Sequence, residues 1–185
     1  QMCIRDRVPT ISNWTSNGDV HTASITFDED GLYSFAMNYT DKAGNEATPL
    51  EQQTFYIDLL APTLQIDGIA NHTANAGRNE QNETENVGFI ITSTDQNFDT
   101  INAHLNLITV DGETNCDDLL GTAAVIDQGR KYTVENLDAD GIYVLSCEVV
   151  DKAGNVTTKA VAKDAAGEKI ETEEMMFSVN RNGSV

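Results

Sequence analysis

Residues 30–45, DGLYSFAMNYTDKAGN, return 110 positions later as DGIYVLSCEVVDKAGN at 140–155, and both copies alternate apolar with polar side chains. A period of two belongs to an extended chain with one face buried and the other wet, not to the 3.6-residue period of a helix. In the first copy Tyr33, Phe35, Met37 and Tyr39 are expected on the inner face, with Ser34, Ala36, Asn38 and Thr40 outside. Tyr143, Leu145, Cys147 and Val149 take the same places in the second copy. Each copy opens on an acidic Asp-Gly turn and closes on DKAGN, so what is repeated is a strand punctuated at both ends.

The neighbourhood of this strand repeats too. HTASITF at 21–27 and KYTVENL at 131–137 read as strands ahead of it, and TFYID at 54–58 and MMFSVN at 175–180 as strands behind it. The second copy has further strand patterns upstream: TLQIDGI at 63–69, VGFIITST at 87–94 and INAHLNLITV at 101–110, with DLLGTAAVID at 118–127 as one more. In the third of these, Ile101, Ala103, Leu105 and Leu107 alternate with Asn102, His104 and Asn106. Seven short strands separated by turn signals, with no long amphipathic helical pattern, predict a β-sandwich. The first copy has only VPTISNW ahead of HTASITF and reads as the back part of such a sandwich. Pro62 fixes its own φ and biases Ala61 toward extended geometry, which makes IDLLAPTL a short, stiff connection and places the boundary at Leu60–Ala61. The expected organisation is therefore 8–60, 61–180, and the start of a following segment at 181–185. Residues 1–7, QMCIRDR, resemble a translated sequencing-library end and are set aside from the fold.

The series DGxYxFxxxYTDKAGN, FYIDLLAPT, DGIYxLxxxVxDKAGN and FSVNRNGS resembles the bacterial immunoglobulin-like (Ig-like) repeats of secreted and cell-surface proteins, especially those of Gram-positive bacteria. The resemblance runs from about residue 11 to the end. It implies an all-β chain of tandem Ig-like β-sandwiches, the first truncated at its N-terminal side. It also implies that Tyr33 and Tyr143 are tyrosine corners, each tying its strand back to the preceding connection. One departure stands out: Asn155 and Phe177 are 22 positions apart, against 10 from Asn45 to Phe55. The surplus of 12 residues falls in 156–176, which is expected to be a solvent-exposed or strand-extending insertion, with ligand recognition as the sharper alternative.

Charge narrows the partners. Lys and Arg number 11 against 30 Asp and Glu, a formal net charge of −19, and setting QMCIRDR aside makes it −20. Such a chain repels phosphate backbones and anionic membrane surfaces and has no clustered basic face to offset this, so nucleic acid is excluded as a partner. No apolar run is long enough to span a bilayer. Of 3 Cys, Cys116 and Cys147 lie outside the excluded segment, an even count that permits a disulfide in an exported protein; Cys147 as a buried free thiol is the competing reading.

The DKAGN pairs are expected to be structural turns. Asp41 and Asp151 accept hydrogen bonds from turn amides, Gly44 and Gly154 take the positive φ of a tight reversal, and Asn45 and Asn155 tolerate left-handed backbone. A sharper expectation concerns calcium. Where Ig-like modules are joined in series, Asp28, Glu29, Asp30 and Asp58 from the first and Asp95, Asn97, Asp99 and Asp151 from the second would form oxygen-only clusters at the junction. Hard cations with 6–8 ligands prefer such clusters. The loop is no EF-hand, since Thr100 and Asn106 stand where that motif needs Gly and Glu. The plainer alternative is solvated turn acids.

Catalytic signatures are missing: His21, His72 and His104 have no metal-ligand spacing, and neither a nucleophile elbow nor a phosphate loop occurs. The expectation is a non-enzymatic spacer, stalk or adhesion segment of a bacterial secreted or wall-associated protein. It needs no cofactor, with calcium as an optional ligand, and its partners are neighbouring Ig-like domains and a host or cell-wall surface ligand. The alternative is a set of accessory modules of a larger extracellular enzyme acting on polysaccharide or peptidoglycan.

Overall fold

The computed structural model describes residues 9–74, 76–78 and 83–181; residues 1–7 and the last four of 181–185 lie outside it. The chain divides into two compact units, Gln1–Leu60 and Ala61–Val185. Strands dominate both.

The first unit holds β1 (Thr10–Ile11), β2 (Thr15–Asn17), β3 (Val20–Thr22), β4 (Ile25–Thr26), β5 (Gly31–Met37) and β6 (Leu50–Ile57). They join as three antiparallel pairs, β1 with β4, β2 with β3, and β5 with β6. HTASITF is thus not one strand: it breaks at Ala23–Ser24, where Ser24 donates its amide to Ser12 Oγ (2.8 Å) and Ser12 donates its own to the Ser24 carbonyl (2.8 Å). On β5, Tyr33 is buried and opposite Phe55, and Phe27 meets both rings edge-on, with centroids 4.7 and 5.3 Å away. The inner face stops there. A register shift between Phe35 and Met37 follows, and Met37 (47 %) and Tyr39 (56 %) are exposed, against the expectation that all four share a buried face. A two-stranded ribbon has too little facing surface to cover them.

The second unit contains β7 (Thr63–Asn71), β8 (Phe89–Thr94), β9 (Phe98–Thr109), β10 (Gly112–Asn115), a 3-10 turn (Asp117–Leu120), β11 (Ala124–Ile126), β12 (Gly129–Val134), β13 (Gly141–Asp151), β14 (Val156–Thr157), β15 (Ala160–Asp164), β16 (Lys169–Thr172) and β17 (Glu174–Val179). One sheet runs β10-β9-β13-β14, with β17 also on β13; the other runs β11-β12-β8-β7-β15-β16. Without β10, β14 and the β15–β16 hairpin, this is the ABED and CFG strand order of an Ig-type sandwich. Tyr143, Leu145, Cys147 and Val149 all point inward from β13, and they pack with Phe89, Ile91, Leu105, Met175 and Phe177 in one core. Burying a side chain of this size contributes about 1.5–3 kcal/mol.

Two expected strands differ. DLLGTAAVID begins as the 3-10 turn, because Asp117 Oδ1 takes the Leu105 amide (2.7 Å) and holds the chain against β9 while Leu120 enters the core; only Ala124–Ile126 is extended. KYTVENL is strand only to Val134, and Leu137 then returns to the core, its amide donated to the Val87 carbonyl at 2.8 Å. Gly141 is required by close approach: its φ is 154°, and a Cβ there would lie 2.4 Å from Leu107 Cδ1.

The surplus residues of 156–176 form the β15–β16 hairpin, with β15 lying parallel to β7 and Ala160 and Ala162 buried. The strand-extending expectation describes it. Beyond β7 the chain runs alongside β17 in the parallel sense. His72 donates to the Met176 carbonyl (2.6 Å), Ser178 to Thr73 (2.9 Å), Ala76 to Ser178 (2.8 Å) and Asn180 to Ala76 (3.1 Å).

Candidate functional site

The repeated turns have nearly identical geometry. Asp41 Oδ1 accepts the amides of Ala43 and Asn45, both at 2.8 Å, and Asp151 Oδ1 those of Ala153 and Asn155, both at 2.8 Å. The second carboxylate oxygen takes the side-chain amide of the Asn, at 2.8 Å in the first turn and 2.7 Å in the second. Gly44 and Gly154 have φ of 89° and 90°. The Asn has a different part from the one expected: neither Asn45 nor Asn155 is left-handed, and each serves as a side-chain donor. A third copy, unrecognised in the sequence, closes β15–β16. Asp164 Oδ1 accepts the amides of Ala166 and Glu168, both at 2.9 Å, and Gly167 has φ of 84°. The shared signal is Asp-x-Ala-Gly.

These bonds set the carboxyl chemistry. Burial pushes Asp151 up, but the Asn155 side chain and the Asn155, Ala153 and Gly154 amides outweigh it and hold the group below the usual range. Asp41 is lowered as well, chiefly by the Asn45 side chain.

The two tyrosines act alike. Tyr33 Oη donates to the Glu29 carbonyl (2.9 Å) and Tyr143 Oη to the Ala139 carbonyl (3.1 Å), each four residues back. Both are hydroxyl ties across the acidic turn, as in a tyrosine corner.

The acidic candidates fall into two sets. In the first unit Asp28 is exposed, Asp30 Oδ1 accepts the Leu59 amide (2.7 Å), and Asp58 Oδ1 accepts the Leu60 amide (3.2 Å). In the second unit Asp95 Oδ1 takes the Asn97 amide (2.6 Å) and Lys152 donates to the Asn97 carbonyl (2.9 Å), which joins the β8–β9 loop to the Asp151 turn. Asp95 and Asp151 have carboxylate oxygens within 4.8 Å of each other, whereas Asp99 lies exposed on β9.

Cys116 and Cys147 are free thiols, so of the two readings left open the disulfide is the one the structure does not have. Cys147 occupies an inward position of β13 between Leu145 and Val149, while Cys116 is held at the 3-10 turn, its amide donated to the Leu105 carbonyl (2.7 Å). Burial pushes the Cys147 thiol up to about 12, so it stays protonated and behaves as a small hydrophobe.

Sequence reasoning missed a groove of about 780 Å³ on the outer face of β9 and β13, where the paired residues His104 and Ser146, and Asn102 and Glu148, meet Glu171 and Glu174 from the last hairpin and strand. The outward half of the alternation was the available signal. His104 Nδ1 is 3.1 Å from Asp117 Oδ2. In the first unit Ser16 Oγ lies 2.7 Å from His21 Nδ1 on the exposed β2–β3 hairpin, and no described carboxylate hydrogen-bonds that ring. His72 is an exposed residue with φ of 60°.

Turns and hydroxyl ties at repeated positions, around a core of two facing sheets, define the second unit as an Ig-like β-sandwich. Residues 121–165, from β11 through β15, match the family model of the bacterial Ig-like domain, which shows the resemblance over that stretch. A comparison with the curated proteins gave no match. No helix of the described residues is long and apolar enough to cross a membrane.

Proposed function

We propose that the chain is a non-catalytic segment of a bacterial secreted or cell-surface protein of the Gram-positive type, in which Ig-like units follow in tandem as spacer, stalk or adhesion module. One observation carries this reading. The strand pairs β5–β6 and β13–β17 share their register, with Tyr33 opposite Phe55 and Tyr143 opposite Phe177, and share the hydroxyl tie and the Asp turn. Repetition of scaffold without repetition of a reactive group supports a role in spacing. The acidic surface supports an exported, soluble module with no affinity for nucleic acid.

The test is removal of residues 9–181 from the parent protein. Retained ligand specificity with a shortened reach beyond the cell surface supports the spacer, and lost adhesion assigns the contact to these units. Lost turnover of a polysaccharide or peptidoglycan substrate moves the chain to the accessory-module reading. Calcium is a separate proposal, supported in the second unit by the Asp95 and Asp151 oxygens within 4.8 Å. Titration with calcium chloride raises the Tm if it binds, and an unchanged Tm removes it.

A further inference from the structure

The two Asp-Gly pairs share a property beyond their turns. Asp30 Oδ1 accepts the amide of Leu59 (2.7 Å), and Asp140 Oδ1 accepts the amide of Arg181 (2.9 Å). Leu59 stands two residues past the end of β6 at Ile57, and Arg181 two residues past the end of β17 at Val179. The cause is the register: Gly31 pairs with Ile57 and Gly141 with Val179, so the Asp one position earlier lies beside the chain as it departs.

Each unit then adds a hold of its own. In the first, Asp58 Oδ1 takes the Leu60 amide at 3.2 Å. In the second, the Arg181 guanidinium donates to Asn136 Oδ1, lies 3.8 Å from Asp138, and is only 12 % exposed. Asn136 Oδ1 also accepts the Val87 amide (3.0 Å), which ties the exit to the strands beneath it.

We infer that Asp30 and Asp140 are a repeated clamp that fixes the direction in which the chain leaves each unit. The inference deepens the spacer reading and rests on it, because a set exit direction matters to a protein whose units are joined in series. The clamp ahead of Ala61 holds a connection between units, and Arg181 is held in the same register, so the exit of the second unit is shaped as a connection also. Asp30 and Asp140 are positioning residues. Each accepts a backbone amide of the departing chain.

The experiment is amide hydrogen exchange on the whole chain, comparing the native protein with Asp30→Ala, Asp140→Ala and Asp140→Asn. In the Ala variants Leu59 or Arg181 exchanges about tenfold faster, as loss of a hydrogen bond to a charged group predicts, while Ile57 and Val179 keep their protection. Asp140→Asn keeps an acceptor oxygen and restores most of the protection at Arg181. Trypsin cleavage after Arg181, followed by mass spectrometry, speeds up in Asp140→Ala and not in Asp140→Asn. Unchanged exchange at both amides overturns the inference. So does a uniform loss across β13 and β17, which assigns Asp140 to the fold and not to the exit. A ligand found for the segment removes the spacer reading and leaves these rates as they are, so the two fail separately.

Discussion

Asp151 is almost fully covered at the end of β13, and its carboxylate collects three hydrogen bonds from Ala153 and Asn155. Replacing it with Ala strands those donors and lowers stability by about 2 kcal/mol in urea unfolding, while the same change at the less covered Asp41 costs less. Tyr143→Phe leaves the Ala139 carbonyl without its hydroxyl partner and costs about 1 kcal/mol by the same measurement. Iodoacetamide mapped by peptide mass labels Cys116 in the folded protein and spares Cys147 until denaturant is added. Asp117 is brought down to about 2 by the Asn115 side chain, the Leu105 amide and His104. A carboxyl lowered in the folded state stabilises above its unfolded value and loses that contribution as pH falls, here between about 4 and about 2. Urea midpoints of the native protein and Asp117→Asn therefore converge across that window. The turn Asp and Gly were legible in the sequence because their local backbone demands them. The donor role of Asn45 and Asn155 was not, since it depends on where the second carboxylate oxygen comes to rest.

Among the elements, β13 is the one most fully written in the sequence. It has a neighbour on each edge and a sheet over its inner face, so alternation and burial coincide along its whole length. The same pattern in β5 overstates burial past Phe35, because alternation states which side chains share a face and says nothing of what covers it. The β15–β16 hairpin was legible only as surplus length. Its parallel pairing joins Val161 to Gln65, and no local signal marks a partner so distant in the chain. Replacing residues 160–172 with a short turn uncovers the edge of β7 and the core beneath Ala160 and Ala162. The expected result is a lower Tm together with self-association in light scattering, as for any bared edge strand.

Over the whole molecule, the buried core belongs to the second unit, and Tyr33 is the first unit's one buried hydrophobic side chain among the described residues. Residues 61–185 alone are expected to unfold cooperatively with dispersed amide resonances, and residues 9–60 alone to give a collapsed spectrum, because two-stranded ribbons are marginal in water. The sandwich class was legible at this scale, but strand number was not: seven strands were expected of the second unit, and its described residues form eleven, β7 to β17. The acids expected to act together were only partly so: Asp95 and Asp151 approach within the second unit, and Asp99 does not. The parallel pairing of His72, Thr73 and Ala76 with Met176, Ser178 and Asn180 bears on how the second unit answers a mechanical load. If its two ends are drawn apart, those segments slide past each other and the four bonds between them are strained together instead of opening one by one. Rupture then follows the unfolding rate and not the equilibrium stability. Ala76→Pro, which deletes one donor from the row, lowers the unfolding force in single-molecule stretching by more than its effect on Tm suggests.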